Sequence, residues 1–131
     1  MRHTVLVIDD QWSMQELARI VLQTAGFRVL LAGDGATGLS LARTEHPDAI
    51  LLDLRMPGLD GLDVLRVLRQ QAGTAEIPVL LITPDAGEEA QAAERRAGTA
   101  EILRKPFHPP ELLRGVQNLL ARPTLPVAMT G

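Results

Sequence analysis

The chain contains no cysteine, and aromatic residues make up only 2% of it. The first absence excludes a disulfide framework, a thiolate metal site and a cysteine nucleophile, and is compatible with a reducing cytosol. The second means that any core must be aliphatic, built from Val, Ile, Leu and Ala. No apolar run approaches the ~20 residues of a membrane span. The start, Met1-Arg2-His3, leads straight into a strand pattern. A secretory leader would need an apolar stretch and a cleavage site there, so a cytoplasmic location is expected. A basic excess is also missing. The net charge of -3 gives no reason to expect nucleic-acid binding by the domain itself. What is present is a chain of 131 residues, 46% hydrophobic, enough for one domain with a sizeable core.

Apolar runs and helical periodicities alternate along it. Val5-Leu6-Val7-Ile8 is continuous, as expected for a strand covered on both faces. Met14, Leu17, Ala18, Val21, Leu22 and Ala25 follow at helical spacing, and Gly26 stops that helix. Val29-Leu30-Leu31 reads as a second strand, residues 36 to 45 as a second helix ended before Pro47, and Ala49-Ile50-Leu51-Leu52 as a third strand. Pro57, Gly58 and Gly61 mark a tight loop before a helix striped by Leu62, Leu65 and Leu68. Val79-Leu80-Leu81-Ile82 is a fourth strand. Residues 86 to 97 read as an alanine-rich fourth helix, loosely held because it offers little to bury. Ile102-Leu103 centres a short fifth strand. Leu112, Leu113, Val116, Leu119 and Leu120 stripe a fifth helix.

This alternation predicts an α/β domain, a doubly wound flavodoxin-like (βα)5 fold over residues 1–121. Right-handed crossovers favour a parallel sheet in the order 2-1-3-4-5, with its switch point between strands one and three. Residues 122–131 lack periodicity and read as a tail or the beginning of a linker.

Asp9, Asp10, Asp53 and Thr83 each follow an apolar strand run, and Lys105 follows the weaker fifth run. Strand C-termini line one edge of such a sheet, so these residues should converge. Three crowded carboxylates repel one another and invite a hard cation such as Mg²⁺. A hydroxyl and an ammonium facing that cation suit a phosphoryl group.

With these residues in place the chain resembles the response-regulator receiver domain of two-component signalling, over about residues 4 to 121. The resemblance lies in Asp9-Asp10, in Asp53-Leu54-Arg55-Met56-Pro57-Gly58-Leu59-Asp60-Gly61, in Thr83 and in Lys105-Pro106-Phe107. It implies that Asp53 is the phosphoacceptor, taking a phosphoryl group from a histidine kinase or phosphotransfer protein. It further implies that Asp10, Asp53 and the backbone carbonyl of Arg55 bind Mg²⁺ directly, with Asp9 helping through water. Thr83 would donate to a phosphoryl oxygen, Lys105 would pair with the phosphoryl charge, and the Lys105-Pro106 bond would be cis. Such a domain is no enzyme beyond its own phosphorylation and dephosphorylation. Its output would go to a downstream protein target or effector domain. The face formed by the fourth helix, fifth strand and fifth helix is a candidate for homodimerisation, although no specific pairing across it can be named.

Two positions depart from the family pattern. Pro84 follows the threonine, where relatives place a small residue whose backbone N–H binds a phosphoryl oxygen, and proline has none. Ile102 stands where relatives carry a tyrosine or phenylalanine that swings inward on activation. Together they leave open an alternative: a receiver-like interaction module signalling with little or no phosphorylation. Arg55 and Asp85 flank the expected phosphoryl position with opposite charge, where a bridge would slow hydrolysis. A flavodoxin-type binder would want a hydroxyl- and glycine-rich loop where this chain has two aspartates. An aspartate-nucleophile phosphohydrolase would usually place Asp-x-Asp after the first strand. The remaining polar residues have plainer readings. Asp60 caps the third helix, Asp34 belongs to a turn, Arg95-Arg96 is a solvated helix face, and His3, His46 and His108 lie away from the motifs. Trp12 is expected on the pocket rim.

Overall fold

The computed structural model describes residues 2–84, 87 and 100–121. Five strands form one parallel sheet in the order β2-β1-β3-β4-β5, as the alternation predicts. They are β1 (Thr4–Ile8), β2 (Arg28–Ala32), β3 (Ala49–Asp53), β4 (Val79–Thr83) and β5 (Ala100–Arg104). The helices are α1 (Trp12–Thr24), α2 (Gly35–Glu45), α3 (Gly61–Gln70) and the C-terminal α4 (Pro109–Ala121). The expected helix over 86–97 lies outside the described residues apart from Gly87, as do Asp85, Arg95-Arg96 and the expected tail at 122–131.

The sheet separates two aliphatic layers, because successive strand side chains point to opposite faces. On one face Leu6, Ile8, Ile50, Leu52 and Leu81 pack with Leu39 and Ala42 of α2 and with Val64, Leu65 and Leu68 of α3. On the other, Val5, Val7, Leu51, Leu80 and Ile82 pack with Met14, Ala18 and Leu22 of α1 and with Leu112, Val116 and Leu119 of α4. Each of the larger aliphatic side chains among them contributes about 1.5–3 kcal/mol when fully buried. All residues of β3 and β4 are buried, whereas the edge strand β2 is only half covered. This is why the central strands read as unbroken apolar runs.

Helix ends follow local chemistry. Gly26, at a φ of 95°, closes α1: its N–H donates to the Gln23 carbonyl, and Phe27 N–H reaches Leu22. Asp34 caps α2 through Thr37 N–H (2.7 Å), and Asp60 caps α3 through Asp63 N–H (3.0 Å). At the start of α4, His108 N–H donates to the Glu111 carboxylate while Glu111 N–H returns to the His108 carbonyl, both at 2.8 Å. Strand β5 is longer than the Ile102-Leu103 nucleus suggests. Ala100 and Glu101 join because they pair in register with Val79 and Leu80 of β4.

Candidate functional site

The C-terminal edge of the sheet gathers the residues singled out in the sequence. Ladder hydrogen bonds running one residue past the strands fix their backbones. Asp9 N–H donates to Ala32 (3.0 Å), Leu54 N–H to Ile82 (3.0 Å) and Lys105 N–H to Thr83 (2.8 Å). Gly61 fixes the loop after β3 from the other side. A Cβ there would collide with the Asp53 carbonyl oxygen and with Leu54 Cα, so backbone meets backbone and only glycine fits.

Carboxylate oxygens of Asp9, Asp10 and Asp53 lie within 4.8 Å of one another. Asp9 is 1% exposed and Asp53 3%, whereas Asp10 faces solvent. Asp9 and Asp53 each form a short local turn. Asp9 Oδ1 accepts from Gln11 N–H and Asp53 Oδ1 from Arg55 N–H, both at 2.9 Å. Their second oxygens differ. Asp53 Oδ2 lies 3.7 Å from Lys105 Nζ, an ion pair without a direct hydrogen bond. Asp9 Oδ2 is buried with no hydrogen-bond partner among the described residues.

That arrangement has an electrostatic signature. Burial, reinforced by the Asp53 and Asp10 charges, pushes the Asp9 carboxyl up from 3.8 to about 6, against the Gln11 hydrogen bond and Lys105. An orphaned buried oxygen beside two further carboxylates is an oxygen-only donor set, which fits a hard divalent cation. Proteins seldom leave such an atom unpaired, because its desolvation goes uncompensated.

Thr83 is buried at the end of β4, one residue beyond Ile82, which pairs with Asp53. Pro84 and Arg55 are exposed beside it and beside Asp53 respectively. Ile102 is half-buried and packs against the α2–α3 side of the sheet. The Lys105-Pro106 peptide is cis. Trp12, at the first position of α1, is 75% exposed. His3 sits at the opposite edge, 3.9 Å from Asp48. Two residues escape sequence reasoning. Gln15 donates its side-chain amide to the Asp9 carbonyl at 2.7 Å. Thr74, fully buried, ties the loop after α3 to the Leu68 carbonyl at 2.7 Å. A polar residue one turn inside α1 was the available signal for the first; a lone threonine in a polar loop gives none for the second.

Residues 5–117 match the response regulator receiver domain family. The DNA-binding response regulator MtrA of Mycolicibacterium paratuberculosis is 38% identical over 122 residues, covering 93% of this chain and 53% of that protein. The response regulator MprA of Mycolicibacterium vanbaalenii is 39% identical over 120 residues, covering 92% and 51%. The chain thus spans about half the length of these curated relatives. Among solved structures, the Vibrio cholerae chemotaxis protein CheY4 superposes with a TM-score of 0.86 at 31% identity, covering 92% of this chain and all of its own. The family match, the relatives' identity and the strand order agree, and the chain belongs to the receiver domain family of two-component response regulators.

Proposed function

We propose that Asp53 accepts a phosphoryl group from a phosphohistidine on a histidine kinase or phosphotransfer protein. The observation that carries this is the three-carboxylate cluster with Lys105 Nζ held 3.7 Å from Asp53 Oδ2. Arg55 N–H occupies Asp53 Oδ1, which leaves Oδ2 as the nucleophile. Oδ2 forms a bond to phosphorus as the phosphorus–nitrogen bond breaks, and its electron pair leaves on the donor imidazole. Lys105, paired with Asp53 but not hydrogen-bonded to it, can follow the negative charge onto a phosphoryl oxygen. The Thr83 hydroxyl, at the neighbouring strand end, donates to another. Such a transfer needs positioning and charge neutralisation more than covalent machinery. Asp10, Asp53 and the Arg55 carbonyl would hold Mg²⁺, with Asp9 through water. When bound, Mg²⁺ offsets the repulsion between the acidic cluster and the incoming phosphate.

Receiver action in the cytoplasm, with a protein effector downstream, follows as part of the same reading. The DNA binding named for MtrA is assigned to no residue of this chain. A module that signals without phosphorylation is favoured by no feature of the cluster. Pro84 instead bears on lifetime. Without an N–H after Thr83, the phosphorylated state lacks one hydrogen bond to a charged group, worth about 1.5–3 kcal/mol. Pro84→Ala should prolong the phosphoryl lifetime, read by adduct decay in intact-protein mass spectra.

The decisive experiment is intact-protein mass after incubation with acetyl phosphate, with and without Mg²⁺. A Mg²⁺-dependent phosphoryl adduct that vanishes in Asp53→Asn is expected. A folded wild-type protein that takes no phosphoryl group from either acetyl phosphate or a phosphorylated kinase would refute the reading.

A further inference from the structure

The segment carrying the two adjacent acids enters α1 without a conventional cap. Gln11, at the N-cap, makes no side-chain bond to the helix, and the first turn holds no acidic residue. Two other contacts hold it. Asp9 Oδ1 takes the Gln11 N–H, and Gln15 Nε2 reaches back to the Asp9 carbonyl oxygen at 2.7 Å. The Gln15 N–H meanwhile closes the first helical turn onto the Gln11 carbonyl at 3.1 Å. On the far side, a Cβ at Gly33 would already lie 3.5 Å from Gln15 Nε2, so the amide is bounded by the chain after β2.

The Asp9 carbonyl belongs to the peptide unit that joins Asp9 to Asp10. That unit is planar, so a hydrogen bond to its oxygen fixes the whole plane. With the Asp9 N–H held by the β1–β2 ladder, that plane contributes to the direction in which both side chains leave the backbone. Asp9 goes inward and is buried, while Asp10 goes to the open side of the cluster. We propose that Gln15 is a positioning residue for this pair: its amide locks the Asp9–Asp10 peptide so that both carboxylates converge on Asp53 at the spacing a divalent cation requires. Gln15 acts through the two aspartates and supplies no ligand itself. The proposal depends on the cation-binding reading given above.

The test is calorimetric titration of Mg²⁺ into the unphosphorylated protein, comparing wild type with Gln15→Met and Gln15→Ala. Methionine keeps the length and helical preference of glutamine but cannot donate, and alanine guards against a packing effect of methionine. Both variants should bind Mg²⁺ roughly tenfold more weakly, the lower end of what loss of an outer-shell partner costs. A second readout separates positioning from damage to the fold. Adduct formation with acetyl phosphate should fall at limiting Mg²⁺ and recover at saturating Mg²⁺. Wild-type affinity in both variants, or a loss that saturating Mg²⁺ does not restore, overturns the proposal. Absence of Mg²⁺ binding in the wild type would instead refute the cation-binding reading beneath it.

Discussion

The two edges of the sheet each set an aspartate beside a basic side chain, in opposite surroundings. At the C-terminal edge, Lys105 and Asp53 are 3.7 Å apart, and the Asp53 side chain is almost fully buried. At the N-terminal edge, His3 and Asp48 are 3.9 Å apart, and both are about half exposed. Asp48 Oδ2 also takes the Thr4 N–H at 2.7 Å, and Asp48 N–H returns to the Thr4 carbonyl at 2.8 Å. That edge is solvent-exposed, and Asp48 has its hydrogen-bond partners. The other edge concentrates like charge out of water and leaves Asp9 Oδ2 with no partner among the described residues. Proximity of a basic side chain to an aspartate therefore does not separate the two edges. The uncompensated charge does, and the fold bears its cost.

The largest test of that contrast is Asp9→Asn in metal-free protein. Asparagine keeps an oxygen for the Gln11 N–H and removes the buried charge. Raising the Asp9 carboxyl from 3.8 to about 6 corresponds to about 3 kcal/mol against the folded state at neutral pH. The variant should be more stable by up to that amount in urea unfolding at pH 7. The pH dependence fixes the sign. Below 3.8 the group is protonated in both states and contributes nothing. Between 3.8 and about 6 only the folded state keeps the proton, so stability falls as pH rises. Above about 6 the full penalty is present. The difference between wild type and Asp9→Asn should open across that window and stay constant above it. A flat difference would show that Asp9 carries no burial penalty.

A cation should cancel the same cost. Mg²⁺ at a hundredfold excess over its dissociation constant should stabilise the wild type by about 2.7 kcal/mol, and chelation should reverse it. Asp10→Asn should lose most of this effect in thermal unfolding. The smallest change belongs to the other edge. Asp48→Asn should alter stability by no more than about 1 kcal/mol, since exposed pairs contribute little. A large loss there would erase the contrast between the edges.

Much of this was legible in the residues because apolar runs that end in polar groups mark strand ends. Asp9, Asp10, Asp53, Thr83 and Lys105 needed only the rule that parallel strands finish on one side. Asp60 was legible as a cap from its place before a helix, whereas Asp34, read as part of a turn, caps α2. The unequal fates of Asp9 and Asp10 were not. One is buried and one exposed because the β1–β2 ladder continues through the Asp9 N–H, and the alternation of side chains carries on with it. Nor was the Gln15 contact, since it depends on how far the chain folds back between β1 and α1. The length of β5 was set by its partner β4 rather than by its own weakly apolar residues.

The contact at Gly61 has a consequence for how this sequence can drift. Side-chain packing tolerates exchange, because rotamers and neighbours readjust when a core residue changes. A joint made of main chain against main chain has no rotamers to readjust. The spacing between the end of β3 and the start of α3 is therefore independent of which aliphatic residues fill the layers on either side. Leucine, isoleucine and valine could be reshuffled through both layers over many generations while Asp53 kept its place. Gly61 lets the core vary while the backbone at Asp53 keeps its place.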